Sequence, residues 1–237
     1  MEKTVKIGLL GCGTVGGGVI IVLNENKEEI AKKAGCPIEV KTVLVRDKNK
    51  LKPEIEKYNI GYTDNLDDIL NDPEISIVVE LIGRVHPAKE YIEAALNRGK
   101  HVVTANKDVL ADYGKALFTL AAEKKADFQF EGAVGGGIPI IRPLRSCLAA
   151  NKISSLMGII NGTTNYMLTR MTEDGLSYGD ALAEAQEKGY AESDPTADVE
   201  GIDAARKIAV LASLAFNTPL TLKDVHVEGI DFNFCFY

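Results

Sequence analysis

The stretch VKIGLLGCGTVGGG, residues 5–18, decides the fold of this chain. Its first part, Val5–Leu10, is a short apolar run typical of a buried strand, and the glycines after it open a helix. Gly11, Gly13 and Gly16 form a GxGxxG pattern between the two. This spacing allows a tight turn, a close approach of the backbone to a pyrophosphate, and exposed amides at a helix N-terminus. Because a glycine-rich turn can also serve strand–helix packing alone, the pattern indicates a dinucleotide site only inside a βαβ unit.

Strand-like and helical segments alternate after this turn, which is the context that the pattern needs. We predict strands at residues 5–10, 38–45, 75–81, 101–104 and 128–130, and helices at residues 11–33, 64–70, 87–97 and 109–125. Such alternation predicts an α/β fold, a parallel sheet with helices on both faces.

The pattern changes after Glu131, where GAVGGGIP forms a glycine-dense turn. We predict a helix at 138–149 despite Pro143, a strand at 152–160, and helices at 163–171, 178–188 and 199–215. A boundary near Ala150 then separates a dinucleotide-binding domain, residues 1–150, from a substrate-binding domain of α+β type, residues 151–237.

Composition excludes several classes of protein. The 237 residues carry a formal net charge of −7 and no block of Lys or Arg, which argues against a nucleic-acid partner. No apolar run approaches the roughly 20 residues that cross a bilayer, so we expect no membrane association. The N-terminal residues lack a secretory apolar region and cleavage site, so we expect a cytoplasmic protein.

The four cysteines, Cys12, Cys36, Cys147 and Cys235, are widely spaced and form no CxxC pair. This spacing argues against a disulfide framework and a metal cluster. We interpret all four as structural residues, with Cys12 in the glycine turn and Cys147 in the core. An aldehyde dehydrogenase would need a cysteine nucleophile beside a base, and no such motif surrounds Cys147.

The end of the second predicted strand bears on cofactor choice. NAD-selective sites usually place an acid there for the ribose hydroxyls. Here Val45 is followed by Arg46, Asp47 and Lys48. The two cations favour NADPH over NADH, although Asp47 could bind a ribose hydroxyl, and a solvated turn is the alternative interpretation.

Candidate substrate residues concentrate in GYAESDPTADVEGIDAARK, residues 189–207. Glu192, Asp198 and Asp203 supply carboxylates, and Lys207 lies four residues after Asp203, on the same face of a helix. Carboxylates and a lysine in one cleft suit a small zwitterion, since the acids would bind its ammonium group and the lysine would supply a proton.

A second lysine, Lys107, follows a predicted strand in VVTANK. Open α/β sheets bind ligands beyond the carboxyl ends of their strands, so this position favours a functional lysine over an ordinary surface one. We expect Lys107 and Lys207 to open onto one crevice.

Five segments in order, GCGTVGGG, HVVTANKDVLA, EGAVGGGIPII, NGTTNYML and GYAESDPTADVEGIDAARK, resemble the homoserine dehydrogenase family. The resemblance implies reversible NAD(P)-dependent interconversion of L-aspartate 4-semialdehyde and L-homoserine, on the pathway to threonine and methionine. It also implies a homodimer with a Rossmann-like cofactor domain and a substrate/dimerisation domain.

The same resemblance implies roles for individual residues. Glu192 and Asp203 look like the substrate-binding acids, and Lys107 and Lys207 look like the paired lysines, with Lys207 the acid/base candidate. The implied cofactor-binding residues are Gly11, Cys12, Gly13, Thr14, Val15, Gly16, Arg46, Gly83, Lys107 and Gly189. A monovalent cation, commonly sodium, is implied at Glu131, Val134, Gly136 and Ile138.

Two departures from the family pattern stand out. In LIGRVHPA, Arg84 occupies a position where the family commonly has glycine, and the last residues, DFNFCFY, do not look like the family's continuation. The chain therefore looks shortened at its C-terminus. This leaves an alternative of a different class, a non-catalytic dinucleotide-binding sensor derived from the same fold.

Overall fold

The computed structural model describes residues 4–49 and 51–230, and they form two compact units. The first unit ends at Ala133 and the second begins at Val134. This division lies earlier than the predicted boundary near Ala150. The reason is that a π-helix at Pro143–Cys147 packs against helix Ile202–Ala215 of the second unit.

The first unit is built on a six-stranded sheet. Its strands are β1 (Val5–Leu10), β2 (Ile38–Leu44), β3 (Gly61–Thr63), β4 (Ile75–Glu80), β5 (His101–Thr104) and β6 (Phe128–Gln129). Their order is β3-β2-β1-β4-β5-β6, and every neighbouring pair is parallel. The predicted α/β fold with a Rossmann-like parallel sheet is confirmed.

Helices connect these strands. They are α1 (Thr14–Glu25), α2 (Lys27–Ala34), α3 (Pro53–Lys57), α4 (Leu66–Leu70), α5 (Ala88–Asn97) and α6 (Lys107–Lys124), with a 3-10 turn at Glu131–Ala133. The single helix predicted at 11–33 is wrong, because Asn26 leaves helical geometry (φ −106°, ψ 22°) and separates α1 from α2. The pattern also missed β3 and α3, since segments of three and five residues are too short to show periodicity.

The core of the first unit lies between the sheet and its helices. Leu9, Ile20 and Val43 are fully buried, and Ile55 of α3 packs against them. Burial of each such side chain contributes about 1.5–3 kcal/mol to folding. This packing holds α1 directly behind the glycine turn.

The described part of the second unit is helical. It contains α7 (Gly162–Glu173), α8 (Tyr178–Glu187), α9 (Thr196–Val199), α10 (Ile202–Ala215), the π-helix at Pro143–Cys147 and a 3-10 turn at Leu222–Asp224. Met167, Ala181, Ala185 and Val199 form its core.

Three predictions for this unit are wrong. The helix at 138–149 reduces to a short helical segment that ends in the π-helix, where Pro143 has no N–H to donate. Residues 152–160 form no strand, since the described residues of this unit offer no strand for them to pair with. The helix at 199–215 is interrupted at Gly201, which has a left-handed φ of 79°.

The burial of the described cysteines differs from the prediction at one position, Cys147. Cys12, Cys36 and Cys147 are free thiols, and the first two are half-buried. Cys147 is exposed rather than in the core, because Ile141 and Leu144 fill the buried face of its segment. Cys235 lies outside the described residues.

Membrane insertion of a helix finds no support in the part of the chain that the structure describes. None of the helices there combines the length and the apolar character needed to cross a bilayer.

Replacement of Gly16 by alanine should destabilise the chain by about 1–3 kcal/mol, the range for overpacking a tight contact. A Cβ at Gly16 would overlap the carbonyl oxygen of Gly11, and backbone cannot turn aside as a flexible side chain can. Urea unfolding of Gly16→Ala measures the cost.

Gly18→Ala is the matched control in the same helix, because a Cβ there meets nothing within 4 Å. It should be neutral or stabilise by about 0.4–1 kcal/mol. Equal effects of the two substitutions would contradict the importance of the Gly11–Gly16 contact.

Candidate functional site

A cleft of about 720 Å³ lies at the carboxyl ends of the central strands of the first unit. It is lined by Gly11, Cys12, Gly13, Leu44, Val45, Arg46, Asp47, Lys52, Asp64, Leu81, Ile82, Pro87 and Tyr91. The sheet order reverses here, because β1 lies between β2 and β4. Ligands of open α/β sheets bind at such a switch point.

The glycine turn forms one wall of this cleft. Gly11 has a φ of 93°, and a Cβ there would press on the carbonyl of Leu81, so the position requires glycine. Gly13 is the N-cap of α1 and makes no side-chain cap bond, and the space beside it is open. Thr14, Val15 and Gly16 follow in the first turn of α1. The unbonded amides of that turn therefore suit a phosphate group.

The opposite wall carries the charged residues that follow β2. Arg46 and Asp47 line the cleft, as the sequence predicts. Lys48 instead pairs with Asp64, with 2.7 Å between Nζ and Oδ1. Lys52, which sequence reasoning missed, lines the cleft, so among the described residues the cations that line it are Arg46 and Lys52.

Cys12 belongs to the glycine turn and lines the cleft. Burial, and then the negative charge of Glu54, raise the pKa of its thiol, while Lys52 acts in the opposite direction. The thiol therefore stays protonated at neutral pH and is a poor nucleophile, in agreement with a structural role.

Lys107 and Gly83 lie near the same edge of the sheet without lining the cleft. Lys107 is the first residue of α6 and follows β5, and Gly83 (φ 76°) follows β4. Asn106 caps α6 by accepting a hydrogen bond from the amide of Val109. Parallel strands bring these segments to one edge.

A second polar cluster lies in the second unit, around Asn161. The amide nitrogen of Asn161 donates to Asp198 (2.7 Å) and to Asp203 (2.8 Å). Its amide oxygen accepts from both the main-chain N–H and the hydroxyl of Thr164, each at 2.8 Å, and so caps α7. Asn161 is 7% exposed. One buried side chain thus orients two carboxylates and a helix.

Lys207 belongs to this cluster. Its ammonium donates to Asp203 Oδ2 (2.6 Å) and to the main-chain oxygen of Ile160 (2.8 Å). A lysine has three N–H donors, so one remains for a ligand. The side chain is 19% exposed.

Glu192 and Gly189 lie on the neighbouring segment. Thr163 ties this segment to the start of α7 by donating to the carbonyl of Tyr190 (2.7 Å). Glu192 is exposed, and within residues 4–49 and 51–230 its carboxylate has no hydrogen-bond or ion-pair partner. It is therefore available to bind a cation.

The predicted cation residues lie on either side of the division between the units, Glu131 before it and Val134, Gly136 and Ile138 after it. Among the described residues, no group of three or more His, Cys, Asp or Glu side chains could hold a metal ion. A site here would depend on main-chain oxygens, which suit a hard cation.

Sequence reasoning missed Asn161, although its position before a helix is an N-cap signal. Its two carboxylate partners lie 37 and 42 residues away in sequence, and no local pattern identifies them.

The sheet order and the glycine turn define the class of protein. A parallel sheet in the order 3-2-1-4-5-6 with a glycine turn at its switch point is a Rossmann-type dinucleotide-binding fold. The particular family follows from comparison with known proteins. A family model for the homoserine dehydrogenase NAD-binding domain matches residues 11–131, more than half of the chain, and one for homoserine dehydrogenase matches residues 139–233. The chain belongs to the homoserine dehydrogenase family.

Individual homoserine dehydrogenases are similar to this chain over almost all of its length. A homoserine dehydrogenase of Pseudomonas aeruginosa is 50% identical over 96% of this chain and 52% of its own length. The crystal structure of one from Thiobacillus denitrificans superimposes with a TM-score of 0.90 at 48% identity, over 97% of this chain and 53% of that one. A hyperthermophilic archaeal homoserine dehydrogenase in complex with NADPH gives a TM-score of 0.76 at 29% identity, over 94% and 75%. The chain spans about half the length of the curated relatives it matches.

Replacement of Asn161 by alanine should cost about 2–4 kcal/mol of unfolding free energy. The change removes a helix cap, worth about 1 kcal/mol, and the hydrogen bonds of two acids. Chemical denaturation measures the cost. Ser177→Ala is the matched control, since Ser177 caps α8 and is exposed. Equal losses for the two variants would mean that the bridge between Asp198 and Asp203 adds nothing to stability.

Proposed function

We propose that this chain acts as a homoserine dehydrogenase, reducing L-aspartate 4-semialdehyde to L-homoserine with NADPH and catalysing the reverse reaction. The observation that carries the proposal is the ammonium of Lys207, held by Asp203 and the carbonyl of Ile160 with one donor left over. Family membership supports it, and so does the dinucleotide turn of the first unit.

Residues of the first unit would hold the cofactor. The amides of the first turn of α1 would bind the pyrophosphate, and Arg46 and Lys52 would bind a 2′-phosphate. When bound, the reduced nicotinamide supplies the hydride that reaches the aldehyde carbon. The protein's own task is to align the two reacting carbons and to stabilise the charge that develops on oxygen.

Lys207 has the chemistry for that second task. As hydride adds to the carbon, the electrons of the C=O bond move to oxygen, which takes a proton from the ammonium. In the reverse direction the amine of Lys207 accepts the hydroxyl proton of homoserine. Asp203 and the Ile160 carbonyl use two of its three donors and so aim the third. By the family resemblance, we assign Lys107 to polarising the carbonyl.

The substrate's ammonium group would bind to Glu192, whose carboxylate is exposed and has no partner among the described residues, and to Asp198. Asp203 already accepts hydrogen bonds from Asn161 and Lys207, so we assign it chiefly to the orientation of Lys207. This division of labour refines the expectation that Asp203 binds substrate.

Lys207→Ala should lower kcat by about 10²–10⁴-fold, the usual contribution of a general acid, and leave NADPH affinity nearly unchanged. Absorbance of the reduced nicotinamide with L-homoserine and NADP measures turnover. Lys188→Ala is the matched control, because Lys188 pairs with Glu184 and Tyr166 on the surface of the same unit. A Lys207→Ala variant that keeps most of its turnover would refute the assignment.

Arg46→Ala and Lys52→Ala should each weaken NADPH binding about tenfold or more, since each removes a hydrogen bond to a charged group. NADH binding should change little, because NADH has no 2′-phosphate. Titrations with both cofactors measure the ratio. Lys57→Ala is the control, as Lys57 lies on α3 and pairs with Glu25. Equal losses for NADPH and NADH would contradict the 2′-phosphate assignment.

The homodimer and the sodium ion at Glu131, Val134, Gly136 and Ile138 remain predictions from the resemblance, and the cytoplasmic location remains a prediction from the N-terminal sequence. The sensor alternative makes a distinct prediction: cofactor binds and homoserine is not oxidised. Measured binding without turnover would favour it.

A further inference from the structure

Glu80 is a buried acid that the proposed reaction does not use. It is the last residue of β4 and is completely buried. A buried carboxylate is costly unless its oxygens accept hydrogen bonds. Here Oε1 accepts from the amide of Ile82 (2.7 Å) and Oε2 accepts from the hydroxyl of Thr104 (2.6 Å). Within residues 4–49 and 51–230, no cation pairs with it.

One partner of Glu80, Ile82, lies in the loop that follows β4, and the other, Thr104, is the last residue of the neighbouring strand β5. Glu80 and Thr104 are opposite each other in the register of β4 and β5, at the carboxyl ends of both. The loop after β4 contributes Leu81, Ile82 and Pro87 to the cleft. The segment after β5 leads into α6 and Lys107.

Asn106 extends the network across both segments. Its main-chain N–H donates to the Thr104 hydroxyl (3.0 Å), and its side-chain oxygen caps α6 at Val109. Its side-chain nitrogen donates to the carbonyl of Arg84 in the loop after β4 (2.7 Å). Arg84 has a φ of 59°, a conformation that L residues rarely adopt, so this hydrogen bond holds a strained point of the loop.

We propose that Glu80, Thr104 and Asn106 form a positioning network that fixes the 81–87 loop and the start of α6, and with them the shape of the dinucleotide cleft and the place of Lys107. The cofactor part of this inference rests on the proposed function. The network contacts no reacting atom in our assignment, so its members are positioning residues.

The network links the two segments that follow β4 and β5. Parallel strands pair only along their length, and the main-chain bond from the Leu81 N–H to the Leu10 carbonyl (2.9 Å) reaches just one residue past β4. The chain from Asn106 N–H through the Thr104 hydroxyl to Glu80, together with the Asn106–Arg84 bond, joins the two loops by side chains. A cleft wall held this way is ordered before ligand arrives, which lowers the cost of binding.

The test compares Thr104→Val, which removes the hydroxyl, with Asn106→Ser, which keeps a cap and loses the bond to Arg84. Asn24→Ser is the control: Asn24 also donates its amide to a carbonyl, that of Ile20 (2.8 Å), within α1. Hydrogen exchange of residues 81–87, thermal unfolding and NADPH titration are measured on the full chain. Thr104→Ser should restore wild-type behaviour.

We expect faster exchange at 81–87 and roughly three- to tenfold weaker NADPH binding in both variants, the effect of one lost hydrogen bond. Thr104→Val should also lower the melting temperature, because the buried Oε2 of Glu80 loses its donor, whereas Asn106→Ser should melt close to the control. Where turnover is measurable, kcat should fall while KM for homoserine changes little.

Unchanged exchange at 81–87 would overturn the network, and so would affinity losses that merely follow losses of melting temperature. If the wild-type chain does not bind NADPH while exchange at 81–87 still accelerates in the variants, the proposed function fails and the loop-fixing network stands.

Discussion

The close contact between Gly11 and Gly16 is the constraint on which the first unit depends. It lets α1 start directly behind β1, and a side chain at Gly16 would collide with the Gly11 carbonyl. Because α1 starts there without a side-chain cap, its first amides face the switch point of the sheet. The same short turn therefore serves both packing and phosphate binding. For this reason a structural interpretation of the glycines and a functional one are compatible.

Two asparagine side chains, one in each unit, cap a helix and at the same time hold a polar group elsewhere in the chain. Asn106 and Asn161 each accept a main-chain hydrogen bond at the start of a helix through the side-chain oxygen. Each then uses its side-chain nitrogen to hold something else, the Arg84 carbonyl in one case and two carboxylates in the other. Serine or aspartate could cap as well, but neither offers an amide donor on the same side chain. Helix starts and polar sites are thus tied together in both units.

Much of the first unit was predictable, because buried parallel strands and a glycine turn leave strong local signals. The strand Val5–Leu10 and the parallel α/β arrangement agree with the prediction. The second unit was harder, since residues 152–160 have strand-like composition but no described partner strand. The sequence does not predict Lys52 at the cleft, because its position depends on how α3 packs. Lys48 is closer in sequence to Arg46, but in the structure it pairs with Asp64. Hydrogen bonds between distant residues, such as that from Asn161 to Asp203, leave no periodic signal.

Hydrogen-bond partners, and not burial alone, distinguish Lys100 from Lys207. Lys100 is more deeply buried than Lys207, at 8% exposure, and burial lowers the pKa of its ammonium. Both of its hydrogen bonds go to main-chain oxygens, those of Asp72 and Ile75. Ile75 begins β4, so Lys100 lies at the amino ends of the strands, opposite the edge where such sheets bind ligands. Lys207 pairs with a carboxylate that is itself held by Asn161, and it keeps exposure to solvent. Lys100 therefore holds the segment that enters β4, whereas Lys207 has an oriented donor of the kind that we propose for proton transfer.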